Sequence, residues 1–539
     1  MRALRPEQRL ADILSVLVLA AVAITAALTF RDYGLGWDDY THSQYGDLLL
    51  KLYSSGFADT RALSFVNLYK YGGGFDMAAA LAAKVLPFDL FETRRLLGAV
   101  VGIIGLAAAW RLARHLAGPV AGLGAVALLA ACPLYFGHMF INPKDVPLAV
   151  AMIVLMLGAV RALEEYPQPG ARTVALFGLG LGAAFGSRIL AGLGAPEIGA
   201  GLVLLAWSDA RAQGWRAAAA RVVQFLWTLL PGFVLGYLIM GLLWPWSVLS
   251  PLNPIWAVEY FDTFFEKPWE ELYQGHLIPV PDMPASYLPH LFALKLPQLM
   301  LALGLAGSVV VLIAVTRRSV RPQRRAALLA VLLAAYLPIV IAMITRPALY
   351  NGLRHFIFVV PPFAVLGGIA FACAIEWVRG YGRLALAGVG ALFAVSIAAP
   401  VAGMSRLHPY EYTFFNRLAG GVAGAQNDYM LDYWGLGFKQ AALALRDFVA
   451  SEHLRAPGGR RWVVAICGPQ AAARVELGPA FETTFDQKKA DFALALGTFY
   501  CRHLSAPIIA DITRETVSYA RVYDLRNRPK EPLLTIPPP

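Results

Sequence analysis

Two adjacent carboxylates, Asp38 and Asp39, follow closely on the first long apolar segment of the chain. A carboxylate can act as a general base that deprotonates a hydroxyl or amine nucleophile, with a metal ion or a hydrogen-bonding group as its partner. Aspartate is also common in turns, so a solvated turn is the structural alternative. The residues alone leave both interpretations open.

A second polar cluster, Asn142-Pro143-Lys144-Asp145, directly precedes another apolar segment and follows His138. A lysine and a carboxylate at the mouth of a helix pair could bind a phosphate group and a divalent cation. Asparagine and aspartate are also ordinary helix-capping residues. The cluster is therefore a candidate anion site that has a purely structural alternative.

Further cations lie within or beside apolar stretches. Arg188 interrupts one such stretch, and Arg354-His355 stands at the start of another. Charge at membrane depth costs free energy, so a functional role is the default hypothesis for these residues. Arg354 could equally extend its side chain to the lipid headgroups.

Aromatic, amide and acidic side chains gather after the last apolar segment, and they include Tyr410, Asn416, Asp432 and Trp434. Such groups can stack on a sugar ring and hydrogen-bond to it. A junction at which a domain docks onto a membrane surface has the same composition, so binding and docking both remain open.

The composition indicates which elements must position these residues. The chain is 58% hydrophobic and 15% charged, with a mean hydropathy of +0.56, whereas soluble domains carry about 25% charged residues. A membrane span needs roughly 20 apolar residues. We expect about eleven spans in a mainly α polytopic membrane protein, at 11–30, 96–115, 119–137, 146–163, 173–187, 190–207, 222–244, 297–316, 326–344, 356–378 and 384–402. Interruptions in 173–207 predict a broken or re-entrant pair there.

Arginine residues gather in the connecting segments on one side of the predicted spans. The positive-inside rule assigns that side to the cytoplasm, together with the N-terminus. The outer side then holds 31–95, 138–145, 245–296, 345–355 and everything after about 403. The net charge of +11 is dispersed, so it does not indicate nucleic-acid binding. The first span reads as an anchor, because it has no convincing small-x-small cleavage site.

The chain changes character near residue 403. Residues 1–402 form the predicted membrane domain, and 403–539 form a small α/β domain on the outer, periplasmic side. We predict a helix near 437–452 and strands at Trp462–Cys467, Phe492–Leu496 and Ala520–Leu525.

Four cysteines divide between the two regions. Cys132 and Cys373 lie in predicted spans, and Cys467 and Cys501 lie in the outer domain, where an oxidising compartment permits a disulfide bond. Two unpaired buried thiols are the alternative. No P-loop, Rossmann fingerprint or H-E-x-x-H motif occurs in the expected context, which disfavours nucleotide-driven transport.

Four stretches together resemble a known family. The family has an acidic pair in the first outer loop, a short acidic loop before a span, and an aromatic outer region. The stretches of this chain that carry the likeness are Trp37-Asp38-Asp39, Gly137 to Asp145, Tyr350 to His355, and His408 to Gly435. The chain resembles the GT-C class of membrane glycosyltransferases, specifically the bacterial protein O-mannosyltransferase and aminoarabinose transferase superfamily.

The resemblance implies transfer of a sugar from a polyprenyl-phosphate donor to an acceptor lipid, glycan or protein at the periplasmic face of the inner membrane. It implies that Asp38 is the catalytic base and that no nucleotide is needed. The family often has Asp-Glu where this chain has Asp38-Asp39, so the choice within the pair stays open.

The resemblance also distributes the remaining roles. The residues implied to bind the donor phosphate are Lys144, Arg188, Arg354 and His355. Those implied to bind sugar or acceptor are His138, Asn142, Tyr410, Asn416, Asp432 and Trp434. Asp145 is a conditional ligand for a divalent cation, because metal dependence varies across the class.

Two other functions compete with this one. A transporter or flippase for a lipid-linked or small solute would use the same polar residues for binding, but transporters usually carry polar groups near mid-membrane and often show repeats. A non-catalytic subunit with a sugar-binding periplasmic domain is the second alternative.

Overall fold

The computed structural model describes residues 6–262 and 269–535. The part of the predicted second outer loop at 263–268 lies outside the described residues. The helices are α1 (Pro6–Thr29), α2 (Asp39–Ser54), α3 (Gly74–Ala82), α4 (Leu90–Ala117), α5 (Pro119–Ala130), α6 (Pro133–Ile141), α7 (Asp145–Glu164), α8 (Ala171–Phe185), α9 (Gly194–Gln213), α10 (Trp215–Leu243), α11 (Asn253–Asp262), α12 (Tyr287–Lys295), α13 (Gln298–Thr316), α14 (Pro322–Thr345), α15 (Val360–Arg379), α16 (Arg383–Leu407), α17 (Gly421–Ala425), α18 (Phe438–Ser451) and α19 (Gln470–Leu477).

The predicted spans are present as helices. Within the described residues, nine helices are long and apolar enough to cross a membrane, and α5 with α6 makes a tenth that is bent by 63°. The bend lies at Cys132, which is extended because a residue before proline is disfavoured in the helical region. The remaining predicted span is α8, an apolar helix of 15 residues.

The stretch 173–207 is indeed broken. Its two helices, α8 and α9, are separated by a turn at Gly186–Arg188 and a 3-10 helix at Ile189–Leu193. Small residues let neighbouring helices approach closely, as is common in membranes. A Cβ atom on Gly180 would lie 2.4 Å from the Leu155 backbone, so α7 and α8 pack backbone to backbone.

Basic side chains gather at one end of the helix bundle. Arg114 pairs with Asp12 at 2.7 Å, Arg324 with Glu164 at 2.5 Å, and Arg221 with Asp209 at 2.9 Å. The turns that hold Asp38, Lys144, Arg188 and Arg354 meet at the other end, as their mutual contacts below establish.

The C-terminal region carries most of the β structure. Strands β1 (Glu270–Tyr273) and β2 (His276–Pro279) form an antiparallel hairpin before α12. Strands β3 (Trp462–Cys467), β4 (Phe481–Thr484), β5 (Phe492–Leu496), β6 (Ile508–Arg514) and β7 (Val517–Asp524) form one sheet in the order β4-β3-β5-β7-β6. Strand β3 is parallel to β4 and β5, and β7 is antiparallel to both its neighbours. The predicted α/β class of this region is confirmed.

The segment between α1 and α2 docks against the C-terminal region. The Tyr33 hydroxyl donates to Glu411 at 3.0 Å, and the Trp37 amide donates to the Trp434 carbonyl at 3.2 Å. His408 lies 2.6 Å from Glu411 and 2.9 Å from Asp32. These contacts fix the turn that leads to Asp38.

Candidate functional site

The side chain of Asp38 lies where three chain segments meet. One of its carboxylate oxygens, Oδ2, is 2.9 Å from Lys144 Nζ and 3.8 Å from Arg354 Nη1. The side chain keeps 31% of its exposure, whereas Lys144 keeps 12% and Arg354 8%. Burial alone would raise the pKa of the Asp38 carboxyl, but Lys144 and Arg354 outweigh it and hold that pKa well below its usual range.

The neighbouring Asp39 has a different environment. It is buried, accepts two hydrogen bonds from Arg95 at 2.7 and 2.8 Å, and accepts a third from the Gly36 amide at 2.8 Å. The expectation that Asp39 is catalytic does not fit this geometry, because both oxygens of its carboxylate accept hydrogen bonds from Arg95 in a buried ion pair. Only Asp38 of the pair faces the cations.

A second carboxylate and its partners lie beside the first. Arg188 forms an ion pair with Asp145, whose other oxygen accepts from Asn142 at 2.8 Å. The Asn142 side-chain oxygen in turn accepts from the amides of Lys144 and Asp145, at 3.1 and 2.9 Å. Asn142 therefore shapes the turn that presents Lys144, which is the capping role foreseen as an alternative.

Aromatic rings hold the cations in place. The ring of Tyr71 lies 5.5 Å from Lys144 Nζ and 5.2 Å from the Arg188 guanidinium. Arg354 lies 4.8 Å from the Tyr350 ring and 5.1 Å from the Trp434 ring. A cation near an aromatic face gains electrostatic stabilisation without using its hydrogen-bond donors, which can then bind a carboxylate or another anion.

The two predicted histidines line the interior behind the cations. His355 packs edge to face on Tyr350 at 4.9 Å. His138 is fully buried, lies 2.8 Å from the Tyr433 hydroxyl, and packs near Trp434 at 6.1 Å. His138 thus supports the aromatic wall of the site.

Three residues predicted to bind sugar or acceptor are engaged elsewhere. Tyr410 donates to Gln440 at 3.0 Å. The Asn416 amide donates to the carbonyls of Ala293 and Leu296, and Asp432 accepts from backbone amides at 435–437. The structure does not bring them to the cations, because sequence proximity to Trp434 does not determine which side chains share its face.

Several site residues were not found from the sequence. Tyr71 is one of them. The glycine run that follows Tyr71 could have indicated a close approach of two backbone segments. A Cβ atom on Gly72 would lie 1.7 Å from the carbonyl oxygen of Gly186, which is close to Arg188 in the chain. Glu271 is another. It accepts from the Asn351 amide at 3.0 Å, and burial raises its pKa to about 7.

The donor set does not fit a metal ion at Asp145. Both oxygens of this carboxylate are engaged by Arg188 and Asn142. Across residues 6–262 and 269–535, no group of three or more His, Cys, Asp or Glu side chains could hold a metal ion. Cys467 and Cys501 are disulfide-bonded, with their Cα atoms 5.8 Å apart.

The site as a whole suits an anion. Three cationic side chains, Lys144, Arg188 and Arg354, surround two carboxylates, Asp38 and Asp145, so one positive charge is left over. Lysine and arginine side chains bind phosphate strongly through charge-assisted hydrogen bonds. A carboxylate that lies beside such an anion site can accept a proton from a nucleophile.

Comparison with known proteins agrees with this fold. Residues 75–231 match the family described as dolichyl-phosphate-mannose-protein mannosyltransferase. The structure of ArnT from Cupriavidus metallidurans bound to undecaprenyl phosphate matches with a TM-score of 0.50 and 16% identity, over 96% of this chain and 99% of that one. Its apo state matches with a TM-score of 0.46 and 16% identity, over 95% and 97%.

An oligosaccharyltransferase from Archaeoglobus fulgidus is a weaker match, with a TM-score of 0.48 and 13% identity over 84% of this chain and 62% of that one. No curated protein sequence matches the chain. The predicted resemblance is confirmed at the level of the fold, which is that of ArnT.

Proposed function

We propose, from the premise that this chain is a membrane protein with a GT-C fold of the mannosyltransferase and ArnT type, that it transfers a sugar from a polyprenyl-phosphate donor to an acceptor. Asp38 is the general base of this proposal. The single observation that carries it is the shared contact of Lys144 and Arg354 with one oxygen of Asp38, which joins a base to an anion site.

The donor phosphate binds the cations in the proposed mechanism. Lys144 and Arg354 exchange their ion pairs with Asp38 for charge-assisted hydrogen bonds to the phosphate oxygens, while Arg188 and His355 complete the site. The phosphate is the leaving group, and fixed positive charge stabilises the negative charge that develops on it. The lipid tail extends along the apolar helices.

Loss of the two cations to the phosphate activates Asp38. A carboxylate with a strongly lowered pKa is a weak base. A general base works best when its pKa lies near the working pH. Donor binding weakens the contacts that lower this pKa and so makes Asp38 a better proton acceptor. The acceptor nucleophile then attacks the anomeric carbon in one displacement, which inverts its configuration.

The rest of the site positions the reactants. Trp434 offers a ring beside Arg354, and His138 and Asn142 hold the aromatic wall and the Lys144 turn. We retain Trp434 as a candidate sugar contact, and we give His138 and Asn142 positioning roles.

The decisive experiment uses purified protein with labelled undecaprenyl-phosphate sugars and a mixture of lipid, glycan and peptide acceptors. Wild type is expected to release sugar from the carrier, and Asp38→Asn is expected to lower the rate by about 100-fold or more, the scale of general base catalysis. Asp47→Asn is the matched control, because Asp47 is an exposed carboxylate on α2, the helix that Asp38 directly precedes. An unimpaired Asp38→Asn variant, or no transfer by wild type, would refute the mechanism.

We further propose that the site faces the periplasm of a bacterial inner membrane and that the N-terminus is cytoplasmic. The arginine pairs at the opposite end of the bundle support this orientation. Alkaline phosphatase fused after residue 420 is expected to be active, and fusion after residue 214, in the turn between α9 and α10, is expected to be inactive. The reverse pattern would place the site in the cytoplasm.

A further inference from the structure

The turn that precedes Arg354 is held by two side chains from another part of the chain. The Asn351 amide donates to Glu271 Oε1 at 3.0 Å, and the Gly352 amide donates to the Tyr287 hydroxyl at 2.9 Å. The Tyr287 hydroxyl in turn donates to the same Glu271 oxygen at 3.4 Å. The two acceptor residues lie 80 and 65 residues before the amides that they bind. Two consecutive backbone amides are therefore anchored by side chains.

The conformation of this turn needs such anchors. Asn351 and Gly352 both have positive φ, at 57° and 68°. Glycine adopts this left-handed region freely, whereas asparagine does so at a cost and only where its surroundings hold it there. The 3-10 helix Arg354–Val359 begins two residues after Gly352. The direction of the Arg354 side chain therefore depends on the turn.

Strand β1 presents Glu271 to the turn. Successive side chains of a strand point to opposite faces of the sheet. In β1, Glu271 and Tyr273 are buried, whereas their neighbours in the strand are only partly buried. The ring of Tyr273 packs on the ring of Tyr287, with 5.1 Å between their centroids. The same strand face thus supplies one acceptor and supports the other.

A second contact from this hairpin reaches Arg354. The ring of Trp269, directly before β1, lies 5.7 Å from the ring of Tyr350. Tyr350 in turn lies 4.8 Å from the Arg354 guanidinium. Ring contacts and hydrogen bonds from one hairpin therefore converge on the same cation.

Packing alone does not account for a carboxylate at position 271. Glu271 is 3% exposed, and a buried carboxylate is costly unless it is hydrogen-bonded. Its hydrogen bonds both end on Oε1, while Oε2 has no hydrogen-bond partner within residues 6–262 and 269–535. An apolar side chain of the same shape would fill the space at a lower cost. The hydrogen bonds to Tyr287 and to the turn explain why an acceptor stands here.

Arg354 is a cation whose orientation matters. Its Nη1 lies 3.8 Å from Asp38 Oδ2, whereas Lys144 Nζ reaches the same oxygen at 2.9 Å. Arginine binds phosphate through a planar fork of donors, so its affinity depends on orientation more than that of the flexible lysine. A turn that fixes Arg354 before the lipid arrives reduces the ordering that binding requires.

We propose that Glu271 and Tyr287 are positioning residues that fix the turn and so direct Arg354 at the phosphate of the lipid donor. This inference rests on the proposed function. Neither residue reacts, because both act through the guanidinium group of Arg354. Loss of either acceptor lets the turn relax from its left-handed conformation and weakens phosphate binding, while the other two cations of the site still bind the lipid.

The test measures the binding of radiolabelled undecaprenyl phosphate to the purified full chain in detergent. Tyr287→Phe removes one hydroxyl and Glu271→Met removes the other acceptor, and each is expected to raise Kd about tenfold, the scale of one hydrogen bond. Glu271→Gln keeps an oxygen that can accept from the Asn351 amide, so its Kd is expected to stay within about threefold of wild type. Tyr429→Phe is the matched control, because the partner of this tyrosine hydroxyl is His290 Nε2, at 2.7 Å.

A double-mutant cycle with Arg354→Gln distinguishes positioning from general loosening of the fold. If Tyr287→Phe acts through Arg354, it is expected to raise Kd by less than about twofold once Arg354→Gln is present. An equal increase in Kd in both backgrounds would show that the turn is only structural, and the proposal would be wrong. A Tyr287→Phe variant with the Kd of wild type, or a Glu271→Gln variant as weak as Glu271→Met, would also overturn it.

The binding assay separates this inference from the proposed function. A wild type that binds the lipid and gives the expected cycle, but transfers no sugar, would overturn the proposed function and support the positioning of Arg354 at an anion site. A wild type that transfers sugar, together with a Tyr287→Phe variant of unchanged Kd, would overturn the positioning alone. A wild type that does not bind undecaprenyl phosphate would overturn both.

Discussion

Replacement of Asp38 by asparagine is expected to tighten the binding of polyprenyl phosphate while it slows transfer by about 100-fold or more. The Asp38 carboxylate forms ion pairs with Lys144 at 2.9 Å and with Arg354 at 3.8 Å. These are the same cations that bind the phosphate in the proposed mechanism. The carboxylate also repels an incoming anion. Both effects act against binding in wild type, and both disappear in Asp38→Asn.

The size of the effect follows from this geometry. In wild type, Lys144 must give up its interaction with the Asp38 carboxylate before it binds the phosphate. Only the difference between these two interaction energies therefore contributes to the affinity. A hydrogen bond to a charged group contributes about 1.5–3 kcal/mol. Because Asp38 is partly exposed, we take about 1.4 kcal/mol, which corresponds to a tenfold gain in affinity. The lowered pKa keeps Asp38 ionised near neutrality, so the gain is expected throughout about pH 6 to 8.

The assay is quenching of tryptophan fluorescence by titrated undecaprenyl phosphate in detergent, since Trp434 lies beside Arg354. Asp47→Asn removes a charge of the same sign from α2, the helix that follows Asp38, and is expected to leave the affinity within about twofold of wild type, because exposed charges are well screened. An Asp38→Asn variant that binds as wild type does, or more weakly, would show that Asp38 and the lipid phosphate do not compete for the cations.

Three further outcomes follow from contacts outside the cation site. Arg95→Met leaves Asp39 charged and buried, so unfolding free energy is expected to fall by about 3–5 kcal/mol, measured by thermal unfolding in detergent; a melting temperature equal to that of wild type would contradict the assigned pair. Burial alone would lower the pKa of His408, but two carboxylates outweigh it and raise that pKa. Their stabilisation is complete below the unfolded pKa and is lost as pH rises through the raised folded pKa. The melting temperature is therefore expected to fall as pH rises above about 6.5, the ordinary histidine pKa, in wild type and to change less in His408→Gln. Replacement of Cys467 and Cys501 by alanine is expected to cost about 2–4 kcal/mol, seen as faster proteolysis of the C-terminal domain, and unchanged proteolysis would count against it.

Much of the fold could be predicted because hydrophobic patterning is local. Each apolar run is helical, although 119–137 forms the two helices α5 and α6 and several other helices begin or end five to seven residues from the predicted bounds. Strands β3 and β5 have the predicted ends. Strands β4 and β6 were missed because β4 is only four residues long and exposed residues alternate irregularly along β6.

The site was predicted only in part because its pairings are not local. Lys144 and Arg354 were identified from their charge at the mouths of spans, which is a local signal. No local signal distinguishes Asp38 from Asp39, because the difference depends on Arg95, which lies 56 residues after Asp39 in the chain. Tyr410, Asn416 and Asp432 share composition with Trp434 but are directed into other contacts.

The docking of the segment between α1 and α2 on the C-terminal region has a consequence for the growing chain. Gly36 lies against the ring of Trp434, where a Cβ atom would be 1.9 Å from Cδ1, and the Trp37 amide bonds to the carbonyl of that same tryptophan. Asp38 is the first of the site residues along the chain, but the contacts that fix its turn come from residue 434. We therefore expect nascent chains that have completed every span but lack the region around Trp434 to hold the cations without a positioned base.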